Sequence, residues 1–193
     1  MNLCVIVLTS DLDKETRPPK ILPKVCYKIG EKSMIEICLE NIVRLNPDKI
    51  ILMVSRHNIF FINKVLKHTD YSKLISFCIT DNTSNDLLKN RKISLAQNCY
   101  NGKNVLVVPG NAPLLTSRSM QRILSQKQNV KINNNIFYLK EEYLDKIDDI
   151  SEMTSNNLLT GKEILQIRTQ TELEYVQNIF EEKRRIKQSI LDK

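Results

Sequence analysis

Residues 16–39, TRPPKILPKVCYKIGEKSMIEICL, join an apolar run at Leu3–Leu8 to the first clear helix of the chain. Pro18, Pro19 and Pro23 hold this backbone extended and remove three amide donors from it. Arg17, Lys20, Lys24 and Lys28 line the stiff segment with positive charge. A basic loop that follows a first strand stands where open α/β sheets take anionic ligands, outside the carboxyl ends of the strands. A surface loop with solvated lysines accounts for the same charges. Ser33 with Glu36 forms a capping box, which fixes where the helix starts.

Upstream, LCVIVL (Leu3–Leu8) has the continuous apolar character of a central parallel strand, buried on both faces. Downstream, apolar runs predict strands at Lys49–Val54, 74–79 and 104–108, and a strand or strand pair over 130–139. Helical periodicity falls at 33–45, 58–68, 86–100, 117–125 and 140–147. Residues 148–161 read as a loop and 163–167 as an edge strand. The longest helix spans 169–191, capped by Thr169 with Glu172, with Leu173, Val176, Phe180 and Ile190 as its expected buried stripe. Strands alternating with helices predict one α/β domain over residues 1–193, a mostly parallel sheet with helices on both faces.

Composition narrows the function classes. The 193 residues are 41% hydrophobic and 26% charged, as expected of a globular domain large enough to bury a core. A net charge of +7 suits anionic partners such as nucleotides, nucleic acid or acidic protein surfaces. Codon bias in a chain rich in Lys, Asn and Ile gives the same excess. Cys4, Cys26, Cys38, Cys78 and Cys99 form no C-x-x-C and sit mostly in apolar runs, which reads as buried thiols in a reducing compartment. With only His57 and His68 to join them, no zinc site is expected. The N-terminal run is short and lacks a basic start, and nothing approaches a membrane span, so the cytosol or nucleus is expected.

The segment T-R-x5-P-K-V-x4-G-x-K-x-M, at Thr16, Arg17, Pro23, Lys24, Val25, Gly30, Lys32 and Met34, resembles the nucleotidyltransferase domain of bacterial N-acetylglucosamine-1-phosphate uridylyltransferases. VLVVPGNAPLL (105–115) is similar to that family's apolar strand ending in G-D-x-P-L. INNNIFYL (132–139) and IRTQTEL (167–173) are weaker echoes in the same order. The resemblance implies a nucleotide-diphospho-sugar transferase-like fold. It also implies catalytic positions at Arg17 and Lys24, whose family counterparts contact the phosphates and stabilise the transition state. Nucleotide- or sugar-binding positions fall at Gly110, Asn111 and Asn133. The two family magnesium ligands align with Asn111 and Arg168.

Nucleotidyl transfer needs backbone donors near the phosphates, cations on the developing charge and a metal held by hard oxygens. The chain departs from the family on two of these. Residues 9–15 (TSDLDKE) contain no glycine for close backbone approach and place Asp11, Asp13 and Glu15 toward the phosphates. Asn111 replaces a family aspartate, and Arg168 cannot ligate a metal. Nothing at 86–91 matches the family's uracil motif, and the short 125–132 connection leaves the sugar-binding subdomain truncated.

The sequence therefore reads as a degenerate nucleotidyltransferase-like domain that binds a protein or an anion, with no cofactor. An active, divergent sugar-1-phosphate nucleotidyltransferase is the alternative, with magnesium required only in that case and an oligomer or partner supplying missing elements. A third reading is a nucleic-acid-binding module using Lys183, Arg184, Arg185 and Lys187. Those charges near a helix C-terminus also offset its macrodipole.

Overall fold

β1 (Leu3–Leu8) is buried along its whole length, and the rest of the sheet is built outward from it. The computed structural model describes residues 2–9, 22–56, 58–67, 69–79, 103–144 and 153–191. The remaining strands are β2 (Lys28–Ile29), β3 (Lys32–Ser33), β4 (Lys49–Val54), β5 (Ile75–Ile79), β6 (Asn104–Pro109), β7 (Val130–Asn133) and β8 (Ile136–Leu139). The helices are α1 (Met34–Val43), α2 (Ile59–Leu66), α3 (Ser117–Leu124), α4 (Glu141–Leu144) and α5 (Gln170–Leu191).

Among the described residues the main sheet has the order β5-β4-β1-β6-β8-β7, and β2 pairs with β3 as a separate hairpin. β1 runs parallel to both β4 and β6, and β4 runs parallel to β5. β8 is antiparallel to β6 and to β7, so 130–139 is a hairpin rather than one strand. The chain leaves β1 toward β4 on one side and is joined by β6 on the other. That reversal makes the carboxyl ends of β1 and β6 a topological switch point, where open α/β sheets form a ligand crevice.

Alternation along the strands gives each face its own core. Leu3, Val5 and Val7 pack with Leu39 and Ile42 of α1, Ile62 of α2 and Ile123 of α3. Cys4, Ile6 and Leu8 pack with Ile51, Met53, Val107 and Phe137 on the other face. A third cluster joins Ile29, Met34, Ile37 and Leu114 to Leu173, Val176 and Ile179 of α5.

The caps follow the sequence. Ser33 Oγ accepts from the Glu36 amide, while the Glu36 carboxylate accepts from the Ser33 amide at 2.7 Å. α5 is opened in the same way, with Glu172 accepting from the Thr169 amide at 2.8 Å and its own amide donating to Thr169 Oγ1 at 3.2 Å. Gly30, at φ 65°, makes the β2–β3 turn, a left-handed conformation that costs glycine nothing.

Two expectations fail. Residues 163–167 form turns and coil rather than an edge strand, because Thr160 and Glu163 close a local turn there. Ile190 is 67% exposed and Phe180 only half-buried; Ile179 takes the third buried position with Leu173 and Val176. The expected stripe holds at Leu173 and Val176 only, and every described residue of α5 beyond Phe180 is exposed. The helix expected at 86–100, His57, His68 and Cys99 lie outside the described residues. No described helix is long and apolar enough to cross a membrane.

Candidate functional site

The carboxyl end of β6 sets the frame. The Gly110 amide donates to Leu8 O at 2.8 Å, which locks the strand ends together at the switch point. A Cβ on Gly110 would lie 3.1 Å from Ile35 Cδ1 and 3.3 Å from Leu8 O. Backbone oxygen cannot swing aside as a side-chain terminus can, so packing of β1, β6 and α1 is by itself a reason for glycine here.

Asn111 follows and is committed to Ile167. Its Nδ2 donates to Ile167 O at 3.0 Å, and its own carbonyl accepts from the Ile167 amide at 2.9 Å. This pair sets Arg168, the next residue, beside the end of β6. The Arg168 amide donates to Glu172 at 2.7 Å, and its Nη2 lies 3.5 Å from Gln166 Oε1. The amide of Arg168 holds the Glu172 carboxyl below the usual glutamate range; partial burial opposes this more weakly, and the Thr169 bonds reinforce it.

The tip of the β7–β8 hairpin reaches the same end of the sheet, since β8 runs antiparallel to β6. Asn133 Oδ1 accepts from the Asn135 amide at 2.9 Å, an Asx turn that closes the hairpin. Asn135 Nδ2 then donates to Gln166 Oε1 at 3.2 Å, and Gln166 is buried. The structure thus brings Gly110, Asn111, Asn133 and Arg168 to one end of the sheet. It adds Asn135 and Gln166, which sequence reasoning missed. The Asn-Asn-Asn run was a turn signal that pointed to Asn135; nothing local marked Gln166.

Lys24 belongs to a 3-10 turn, Lys24–Cys26, entered through Pro23 at φ −56° and ψ 141°. The turn packs Val25 and Cys26 into the core, and Lys24 itself is only 8% exposed. A solvated surface lysine is therefore the wrong description of Lys24, although it fits the exposed Lys28. Arg17, Asp11, Asp13 and Glu15 lie outside the described residues. Thr9, at the end of β1, is buried and donates from Oγ1 to Met53 O at 2.6 Å.

These side chains do not fit a magnesium ion of the family's kind. At the two positions that the resemblance aligns with its ligands stand a neutral carboxamide, a weaker ligand than a carboxylate, and a guanidinium, which repels a cation. Among the described residues no three His, Cys, Asp or Glu side chains gather into a metal-binding group.

One further cluster braces the site from behind. The Glu163 carboxylate accepts from Ser119 Oγ at 2.7 Å, Arg122 Nη1 at 3.1 Å and the Thr160 amide at 2.9 Å, tying α3 to the segment that leads to Gln166. Partial burial opposes ionisation of Glu163, but the bonds from Thr160, Ser119 and Arg122 outweigh it, and its carboxyl lies below the usual range.

No family model matches the sequence. Solved structures similar to this chain share its fold at low identity. A 4-diphosphocytidyl-2C-methyl-D-erythritol synthase from Anaerococcus prevotii is 14% identical over 93% of this chain and 98% of its own, with a TM-score of 0.61. HddC from Yersinia pseudotuberculosis, solved with GMP-PN, is 14% identical over 92% of this chain and 99% of its own, with a TM-score of 0.60. Another 4-diphosphocytidyl-2C-methyl-D-erythritol synthase is covered over 100% of its length at 12% identity and a TM-score of 0.60. The chain has the nucleotide-diphospho-sugar transferase-like α/β fold.

Proposed function

We propose that this chain is a degenerate nucleotidyltransferase-like domain that has kept the switch-point crevice, lost metal-dependent nucleotidyl transfer and serves as a binding protein. The observation that carries this reading is the pair Asn111 and Arg168, which the Asn111–Ile167 bonds bring side by side at the end of β6. A neutral carboxamide and a guanidinium stand at the positions that the resemblance aligns with two oxygen ligands of the metal, and a guanidinium offers no such oxygen. The glycine-free loop supports the same conclusion.

A thermal melt with millimolar UTP, CTP, ATP and pyrophosphate, each with magnesium and with chelator, tests it. Binding at about a hundred times the dissociation constant adds roughly 2.7 kcal/mol to the folded state. In a domain of this size that raises Tm by about 5–10 °C. The expected result is a small shift with any phosphate-bearing anion, indifferent to base and to magnesium, because Arg17 and Lys24 remain as cations. A large, magnesium-dependent shift specific to one nucleotide would overturn the reading.

The second reading is an active, divergent enzyme transferring a nucleotidyl group to a sugar or polyol phosphate. The fixed, buried position of Lys24 and the end-to-end coverage of two synthases favour it. It requires pyrophosphate release from a nucleoside triphosphate and a sugar phosphate in the presence of magnesium.

A further inference from the structure

The two edges of the main sheet differ. β7 is covered: Lys131 bridges Ser155, and its carbonyl accepts from the Asn156 amide at 2.7 Å. β5 ends the sheet on the other side, and among the described residues nothing pairs with its outer edge. Edge strands are ordinarily blunted by lysine, proline or a bulge, which stops one sheet from adding to another. The residues of β5, ISFCI, include no charge and no proline, and their pairing with β4 runs without a bulge.

The ladder decides which backbone groups of β5 face outward. The Thr9 amide donates to Met53 O, so Met53 turns its polar groups toward β1. Successive residues of a strand send these groups to opposite sides, so Leu52 and Val54 turn theirs toward β5. A residue in a parallel pair bonds to the two residues that flank its Cα partner. Leu52 lies opposite Phe77, so Ser76 and Cys78 are the residues that answer it. The amides and carbonyls of Ile75, Phe77 and Ile79 therefore point away from the sheet. The Ile75 amide is already used, donating to Ser72 O in the preceding turn. Donors at Phe77 and Ile79 and acceptors at Ile75 and Phe77 stand on the open edge.

These groups match a second copy of themselves. In two β5 strands set antiparallel about a two-fold axis through Phe77, Phe77 stands opposite Phe77 of the partner subunit. Ile79 then stands opposite Ile75 of the partner subunit. Each Phe77 amide meets the carbonyl of the partner's Phe77, and each Ile79 amide meets the carbonyl of the partner's Ile75. The side chains are as symmetric as the backbone. Isoleucine faces isoleucine, phenylalanine faces phenylalanine, and Ser76 faces the partner's Cys78, pairs of the kind that stabilise antiparallel strands. Ile79 and Leu74 are 52% and 37% exposed, so apolar surface on this edge is left to cover. Only this register overlaps the whole of β5, and the contact is isologous, closing after two subunits.

We propose that β5 is a dimerisation edge, through which two copies of this chain join antiparallel about Phe77 and continue the sheet from one subunit into the other. β4 separates this edge from β1, and the contact forms whether or not the crevice at Asn111 binds an anion. An edge of 5 residues buries less than the ~800 Å² per partner of a standard interface, so the dimer is a concentration-dependent one.

Sedimentation velocity of the full chain, from low micromolar concentration upward, should show monomer in equilibrium with dimer. Ile79→Lys sets a charge opposite an isoleucine and should weaken dimerisation about tenfold or more. The position is exposed, so Tm should stay unchanged and certify the fold. Ser76→Cys places a thiol opposite the partner's Cys78 at a Cα separation of about 4.5 Å, within disulfide reach. With glutathione disulfide as oxidant this variant should give a reducible covalent dimer, and Ser76→Cys combined with Cys78→Ser should give none. A monomer at every concentration would overturn the proposal, and binding of a labelled poly(valine-threonine) strand by that monomer would assign the edge to another protein. A dimer that Ile79→Lys leaves intact, no covalent dimer from Ser76→Cys, or cross-linking that survives Cys78→Ser would overturn it as well.

Discussion

Asn111 and Ile167 are joined by two reciprocal hydrogen bonds, side chain to carbonyl at 3.0 Å and amide to carbonyl at 2.9 Å. They clamp the approach to α5 onto the end of β6. Asn111→Asp replaces a donor with a carboxylate facing the Ile167 carbonyl. The variant should lose about 1–3 kcal/mol of stability, as a broken, partly buried hydrogen bond does. It should also stay at background in pyrophosphate release with magnesium, since Arg168 remains alongside. Urea melts and a coupled pyrophosphate assay check both outcomes; an active variant would mean that Asn111 alone stands between this chain and catalysis.

Glu163 gives the fold a pH dependence of known sign. Its folded-state carboxyl is held below the usual range by Thr160, Ser119 and Arg122 against the opposing effect of partial burial. The unfolded chain therefore takes up a proton first as pH falls. Stability from this group is complete above the ordinary glutamate range and is lost as pH drops through the lower folded value. Glu163→Gln should cost on the order of 1–2 kcal/mol near neutrality, since bonds to a charged group are the stronger ones. The gap between variant and wild type should close in urea melts toward pH 3.

The anchoring of α5 ends abruptly along its length. Ile179→Ala removes a buried side chain and should cost about 2–5 kcal/mol. Ile190→Ala, at an exposed position, should stay within about 0.5 kcal/mol. Phe180→Ala should fall between them, because the ring is only half-buried. A loss at Ile190 comparable to that at Ile179 would mean that the projecting end is packed on something.

Cys38 should be inert in the folded protein. Burial pushes its thiol up to about 12, and its Sγ lies 3.8 Å from Pro109 O within the core. The thiolate is the reactive species, so iodoacetamide at pH 8 should leave Cys38 unmodified until denaturant is added, while half-buried Cys78 reacts earlier. Peptide mapping after timed labelling separates the two. Early modification of Cys38 would show local opening between α1 and β6.

Much of the architecture was legible because it rests on short-range chemistry. Leu3–Leu8 declares a central strand by composition, and Ser33 with Glu36 and Thr169 with Glu172 declare helix starts through bonds across three residues. The motifs that carry Gly110, Asn111, Asn133 and Arg168 were legible one by one, and it is strand order that brings them to one end of the sheet.

What each of those side chains does there was not legible. Asn111 meets a carbonyl 56 positions away, Asn133 turns its amide on its own hairpin, and Gln166 is buried beneath Asn135. Lys24 is drawn into the interior by the turn it sits in rather than left in solvent. The sequence determined the elements, their caps and the sheet's parallel character, since periodicity and capping act over a few residues. Only the tertiary structure decided hydrogen-bond partners, the depth of Lys24 and the point at which α5 leaves the domain. Those depend on which distant segments arrive together and where the surface beneath a helix stops.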